Sequence, residues 1–358
     1  MGNSSQQNES FSHINGTFTT VLPLRLQIWS AVPVFSLIIF IAATVANGFV
    51  LYLFARHRHL RTPFNIYVLN LVIATLIETL LQLPLYLINN LRPHWWLGST
   101  ACSIYLYGNT IQGVMVCSHA LITINRIWAV ASPVTYRTHH KRKTAIVLCT
   151  AVWLYVQIFR LPYNLLDAVY YQRPVEIFGC FINKAAQPDL SIAQQVSVYI
   201  IPLAVIVCAY PYIVYKCSSY RTRLVAPQRM EMARMELTVQ RKTYAITNTV
   251  QESVSKPTEA PGMDKPRKSI KRRTTGFLLL SLLTASMAIA WIPSIVLYTV
   301  LLFRQMNWPT YVKVATILCL LETVLDPVFF MLALTDIRII TFKILFKQPN
   351  RAQQRKRN

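Results

Sequence analysis

The sequence predicts an all-α membrane protein, a bundle of seven transmembrane helices followed by a short amphipathic helix. Two observations carry that expectation. Seven apolar stretches run at 29–54, 64–88, 100–131, 144–166, 192–215, 276–302 and 309–334. A helix needs roughly 20 apolar residues to cross a hydrocarbon core about 30 Å thick, and each stretch reaches that length. The second observation is where the charge falls. Of 36 Lys and Arg, 28 lie after spans one, three and five and in the C-terminal tail. Six sit on the other side (Arg25, Arg92, Arg173, Lys184, Arg304, Lys313), while Arg126 and Arg160 fall within spans. The positive-inside bias then puts the N-terminus outside and the C-terminus in the cytosol, as an odd span count requires.

Composition agrees. The chain is 54% hydrophobic and 14% charged, with a mean hydropathy of +0.38. A net charge of +23 invites a nucleic-acid reading, but the charge borders apolar spans on the cytosolic side, where anionic membrane lipid attracts it. No nucleic-acid partner is expected. Residues 1–27 form an outer segment without an apolar h-region behind a basic start, so the first span is expected to act as the insertion signal. Sequons at Asn3, Asn8 and Asn15 cluster there and mark it for glycosylation. The membrane domain spans 28–335. Within it, 216–273 is a long, basic, Ser/Thr-rich inner loop that Pro257, Pro261, Gly262 and Pro266 keep from regular structure. Residues 336–358 comprise the amphipathic helix, lying along the inner membrane surface, and a basic cytoplasmic tail. Cys102 opens span three and Cys180 lies in the next outer loop; both face the oxidising compartment, so a bridge between them is expected. No metal cluster, P-loop or Gly-rich nucleotide turn is found, and neither a cofactor nor an enzymatic activity is expected.

Motifs at matching places in all seven spans give a resemblance to the rhodopsin-like G-protein-coupled receptors. Span one has Asn47-Gly48, and span two opens Thr62-Pro63-Phe64-Asn65 and continues Asn70-Leu71. Trp95-Trp96-Leu97-Gly98 precedes Cys102. Asn125-Arg126-Ile127 stands where the family has Asp-Arg-Tyr, and Trp153 lies in mid-span four. Span five has Pro202 and Tyr210, span six Trp291-Ile292-Pro293, and span seven Asp326-Pro327-Val328-Phe329-Phe330 in place of Asn-Pro-x-x-Tyr. The resemblance implies a plasma-membrane receptor that passes an extracellular signal to a heterotrimeric G protein by outward movement of span six. Arg126, supported by Tyr210, would meet the G protein, and Trp291 would act as the trigger beneath a ligand. Pro202, Pro293 and Pro327 would supply flexible points.

The departures matter as much. Thr75 replaces the buried span-two Asp, which puts the family's sodium site in doubt. Asn125 removes the carboxylate that clamps the following Arg, which favours basal signalling; Phe330 removes a hydroxyl that supports the active state. Sequence does not sign the balance. Glu78, His119, Glu322 and Asp326 are expected to form, near Thr75, a protonation- or cation-sensitive polar core, or else to be separate, locally bonded polar residues. Gly108 stands where amine receptors carry an Asp, and Leu320 where opsins carry the retinal Lys, so neither a monoamine nor retinal is expected. By the family pattern, the ligand pocket draws on Tyr86, Gly108, Asn109, Gln112, Gln194, Gln195, Trp291 and Tyr298. Arg160 is open to two readings, an anionic ligand group or an interface and Asp167 partner. Ser269, Thr274 and Thr275 lie among Lys and Arg in the third inner loop, a basic context for phosphorylation, with arrestin as a further partner there. Two rivals stand beside the receptor: a non-signalling receptor-like protein, and a transporter, against which the absence of repeats argues.

Overall fold

The computed structural model describes residues 31–91, 95–209, 211–213, 215–216, 265–304 and 308–345. Asn3, Asn8, Asn15, Tyr210 and most of the third inner loop lie outside them. Among the described residues, seven helices are long and apolar enough to cross a membrane: Ala31–Arg56, Pro63–Asn90, Gly98–Ala131, Arg142–Tyr171, Pro188–Ile213, Ala285–Phe303 and Pro309–Ala333. The sixth span continues a longer helix, Lys265–Phe303, and the short helix Thr335–Leu345 follows the seventh span.

Local chemistry explains many of the boundaries. Proline at the first helical position starts the second, fifth and seventh spans, where its missing N–H is not needed. Thr62 caps the second by accepting the Asn65 N–H at 3.3 Å. At the end of the first span, Arg61 turns back and donates to the carbonyls of Phe54 and Ala55 at 2.8 and 2.9 Å. Those are the orphan acceptors that a helix C-terminus leaves.

Two of the proline breaks are repaired from a neighbouring helix. Pro327 cannot donate to the carbonyl of Thr323 one turn earlier; Asn47 of the first span donates to it instead, at 2.8 Å. Pro202 leaves the Val198 carbonyl without its helical donor, and the Cys117 thiol of the third span lies 3.6 Å from that oxygen. Each repair satisfies a backbone group that lipid could not. Each also ties two spans together. In this way the signature Asn of span one becomes a strut for the break in span seven.

The main core runs along the bundle, around Leu53, Phe54, Tyr67, Leu71, Met115, Ile122, Met287, Trp291 and Phe330. Ile38, Val45, Val147, Ile158 and Ile289 stay exposed, the expected state of a lipid-facing surface. Between the third, fourth and fifth spans the backbones come close. A Cβ on Gly113 would stand 2.6 Å from Val198 Cγ1 and 3.2 Å from Val156 Cγ1. Only glycine fits there without a shift. At the start of the third span, Cys102 is joined to Cys180, with Cα atoms 5.5 Å apart. Gly179, at φ +72°, makes the left-handed turn that presents Cys180 to the third span. Trp95, Leu106 and Val175 pack around the bridge.

In the last helix Ile337 is buried and Ile340 packs on the inner core, while Ile339 and Phe342 stay exposed. With Arg338 and Lys343 on the same helix, this suits a membrane surface.

Candidate functional site

The polar residues inside the bundle fall into three groups along its length. In the outer tier, Gln82 donates to Asn109 Oδ1 at 2.6 Å, and the Tyr199 hydroxyl donates to the Asn109 carbonyl at 3.1 Å. Gly108 gives Gln82 its room: a Cβ there would meet the Gln82 side chain at 3.0 Å. Gln195 reaches the sixth span, donating to Thr299 Oγ1 at 3.2 Å and to the Ile295 carbonyl at 3.4 Å. Tyr86 packs with Ile39, Leu83 and Leu320 at the junction of the first, second and seventh spans. The pocket residues predicted from sequence therefore lie on four spans, the second, third, fifth and sixth.

Arg160 resolves differently from one of its two readings. It is 4% exposed, neither snorkelling nor paired with Asp167. Its Nη1 donates to Gln194 Oε1, while the buried Asp167 carboxylate accepts the Asn183 backbone N–H at 2.8 Å. Gln82, Tyr163, Ser191, Tyr199 and Lys184 belong to this region and were not read from sequence. Tyr163 and Ser191 share a hydrogen bond at 2.7 Å. Lys184, in the outer loop, brings Nζ to 4.9 Å from the Tyr298 ring, whose residue is 45% exposed. Its position four residues beyond the bridged Cys180 is the one sequence signal that could have found it.

Trp291 joins this tier to the next. Its ring stacks on Tyr199, centroids 6.3 Å apart, and its indole N–H donates to Glu322 Oε2. Glu322 and Asp326, one turn apart on the seventh span, both face His119 of the third: His119 Nε2 lies 3.6 Å from Glu322 Oε1 and 3.0 Å from Asp326 Oδ2. The three residues are buried and offer three ligand atoms within 4.8 Å of one another, a set that could hold a metal ion. Glu322 Oε1 and Asp326 Oδ1 have no hydrogen-bond partner. Glu78 stands apart from this trio: its Oε1 accepts from Gln112 Nε2 at 3.2 Å, and its Oε2 is buried without a hydrogen-bond partner. Thr75 takes no part, since its hydroxyl donates back to the Leu71 carbonyl at 3.0 Å.

Toward the end of the third span, no carboxylate among the described residues lies within ion-pair distance of Arg126. Its Cζ lies 3.5 Å from the centroid of the Phe64 ring, in cation–π contact, and its Nε is buried without a partner. Asn125 is engaged elsewhere, donating to the Tyr67 hydroxyl at 3.4 Å and accepting from the Tyr136 hydroxyl at 3.1 Å. Tyr136 stacks on His140, centroids 4.3 Å apart, and His140 stacks in turn on Tyr67 at 5.7 Å. Burial, and secondarily the Arg126 charge, push the His140 pKa down. Phe330 is fully buried in the inner core, and the Pro293 carbonyl accepts from the Tyr311 hydroxyl at 3.0 Å.

Comparison with known proteins agrees with this architecture. The family described as 7 transmembrane receptor (rhodopsin family) matches residues 46–330. Melanopsin of Mus musculus is 30% identical over 128 residues, covering 35% of this chain and 24% of its own length. Muscarinic acetylcholine receptor M5 of Homo sapiens is 27% identical over 218 residues, covering 60% and 41%. The chain thus matches less than half the length of these relatives.

Proposed function

Since this chain belongs to the rhodopsin family of seven-transmembrane receptors, we propose that it passes an extracellular ligand signal across the plasma membrane to a heterotrimeric G protein, with its N-terminus outside. The observation that carries the reading is Trp291. It stacks on Tyr199 of the outer tier and bonds to Glu322 of the polar core, so a ligand that moves it disturbs both. The sixth span carries Pro293 two residues on, a break about which its inner half can swing outward. That swing would release Arg126 from Phe64 toward the G protein, with Tyr210 as its support. The outer tier, from Tyr86 to Tyr298, is the ligand site. The acetylcholine in the muscarinic relatives' name does not transfer, because the third span offers Gly108, without a carboxylate, for an amine to meet.

His119, Glu322 and Asp326, with Glu78 behind Gln112, act in this reading as a core sensitive to protonation or to a bound cation. Signalling by Glu322→Gln that keeps the wild-type response to sodium and pH would remove that role. The third inner loop is the site for arrestin, Ser269, Thr274 and Thr275 at the start of the helix Lys265–Phe303 are the sites of phosphorylation, and the last helix rests on lipid.

The decisive experiment compares basal and extract-stimulated activation of several G-protein classes by the wild type and Arg126→Ala at equal surface level. Activity lost in the variant supports the receptor reading. Silence of both favours a non-signalling partner or scavenger, the alternative that Asn125 and Phe330 keep open.

A further inference from the structure

We propose that the outer tier takes an anionic ligand, its carboxylate or phosphate group held between Arg160 and Lys184. This rests on the reading of that tier as the ligand site and names the chemical class it accepts.

A guanidinium carries five N–H donors. Arg160, 4% exposed, uses one of them on the neutral Gln194 amide, and its buried Nε has no partner. The Tyr163 ring lies at the edge of cation–π range, with its centroid 6.0 Å from the Arg160 Cζ. Among the described residues no carboxylate stands within ion-pair distance of Arg160; the ion pairs found are those of His119. Asp167, the acid on the same span, is turned to the loop and bonded to the Asn183 N–H.

Lys184 follows Asn183 in that loop. Its ammonium lies over Tyr298 of the sixth span, and burial, then the Arg160 charge, push its pKa down. Neither cation therefore has a carboxylate partner among the described residues: Arg160 meets the Gln194 amide and Lys184 the Tyr298 ring. A buried charge is costly unless it is paired and hydrogen-bonded, and removing the anion from such a set leaves the cost in place. A bound anion is the group that completes it. The same charges repel an ammonium ligand. Tyr199 and Trp291 give the rest of the molecule an aromatic seat below.

The test uses the purified full chain in detergent and its melting temperature. The probes are 3-phenylpropionate, phenyl phosphate, 3-phenylpropanol and 3-phenylpropylamine. At about ten times its dissociation constant an anion should raise the melting temperature by about 3 °C, and the alcohol and amine should not. The larger of the two anion shifts identifies carboxylate or phosphate as the preferred group. Arg160→Gln and Lys184→Gln should each abolish the shift, and Arg160→Lys should keep part of it. If Arg160→Gln does not fold, the loop variant Lys184→Gln still decides. An equal shift with the alcohol, a shift that survives Lys184→Gln, or none from either anion at about 10 mM overturns the proposal. No G protein enters this readout, so failure of signalling leaves it standing. Conversely, a cell response that persists after anion exchange strips acids from the extract sinks the anion and spares the receptor reading.

Discussion

Phe64→Leu should raise basal signalling. Arg126 is held at 3.5 Å over the Phe64 ring rather than by a carboxylate, since Asn125 is spent on Tyr67 and Tyr136. A desolvated cation–π contact contributes about 2 kcal/mol. If activation breaks it, its loss shifts the resting-to-active ratio about 30-fold, and a receptor active about 1% of the time becomes active about a fifth of the time. Leucine keeps an apolar side chain against the inner core, where Phe64 packs beside Tyr67 at 6.5 Å. Phe64→Trp, with a stronger π face, should lower the basal signal. The assay is agonist-free nucleotide exchange on a reconstituted G protein, at receptor levels matched by surface labelling. Equal basal exchange in wild type, Leu and Trp variants would refute the contact as a resting lock.

His119→Ala should destabilise the protein by about 3–5 kcal/mol, because it leaves two buried carboxyl groups without the imidazole that lies between them. Adding Glu322→Gln and Asp326→Asn should restore most of the melting temperature, and no restoration would count against that cause. Cys102→Ser opens a link across 78 residues, a loss of about 2–5 kcal/mol, visible as lowered surface expression and loss of any anion-induced melting shift. His140 should make stability fall with acid. Its folded pKa is depressed below the ordinary 6.5, so stability is full above about 6.5 and is lost as pH drops through the lower folded value. Melting against pH should be flatter for His140→Phe, which keeps the stack on Tyr136 without the proton.

Which parts of this were legible in the sequence follows from range. Span positions depend on local hydropathy, so the bundle and the last helix could be read from it. The sixth helix, however, begins at Lys265, in a polar stretch that reads as loop and where Pro266 is tolerated in the first turn. The bridge from Cys102 to Cys180 followed from two thiols on one side of the membrane. Contacts between spans depend on how each helix is rotated, which hydropathy sets only coarsely. Phe64 over Arg126 joins two helices 62 positions apart, and nothing at either position announces it. Lys184 reads as an ordinary loop cation until the bridge draws its loop back over the sixth span. Arg160 was ambiguous for a related reason, since Asp167 seven residues on stands near the same helix face yet is claimed by a loop backbone N–H. The polar core fared better where spacing alone decided it: Glu322 and Asp326 are one turn apart, and His119 met them. Glu78 was drawn aside by Gln112.

The indole of Trp291 touches both compartments of the bundle, and thermodynamics makes such a contact symmetrical. If a proton or cation among His119, Glu322 and Asp326 changes the affinity of the outer site by some factor, ligand binding must change the affinity for that proton or cation by the same factor. Dose–response curves for this receptor would then be inseparable from the ionic medium in which they are taken. A titration of the core with the outer site filled would measure the coupling as well as any agonist assay, and without knowledge of the agonist's efficacy.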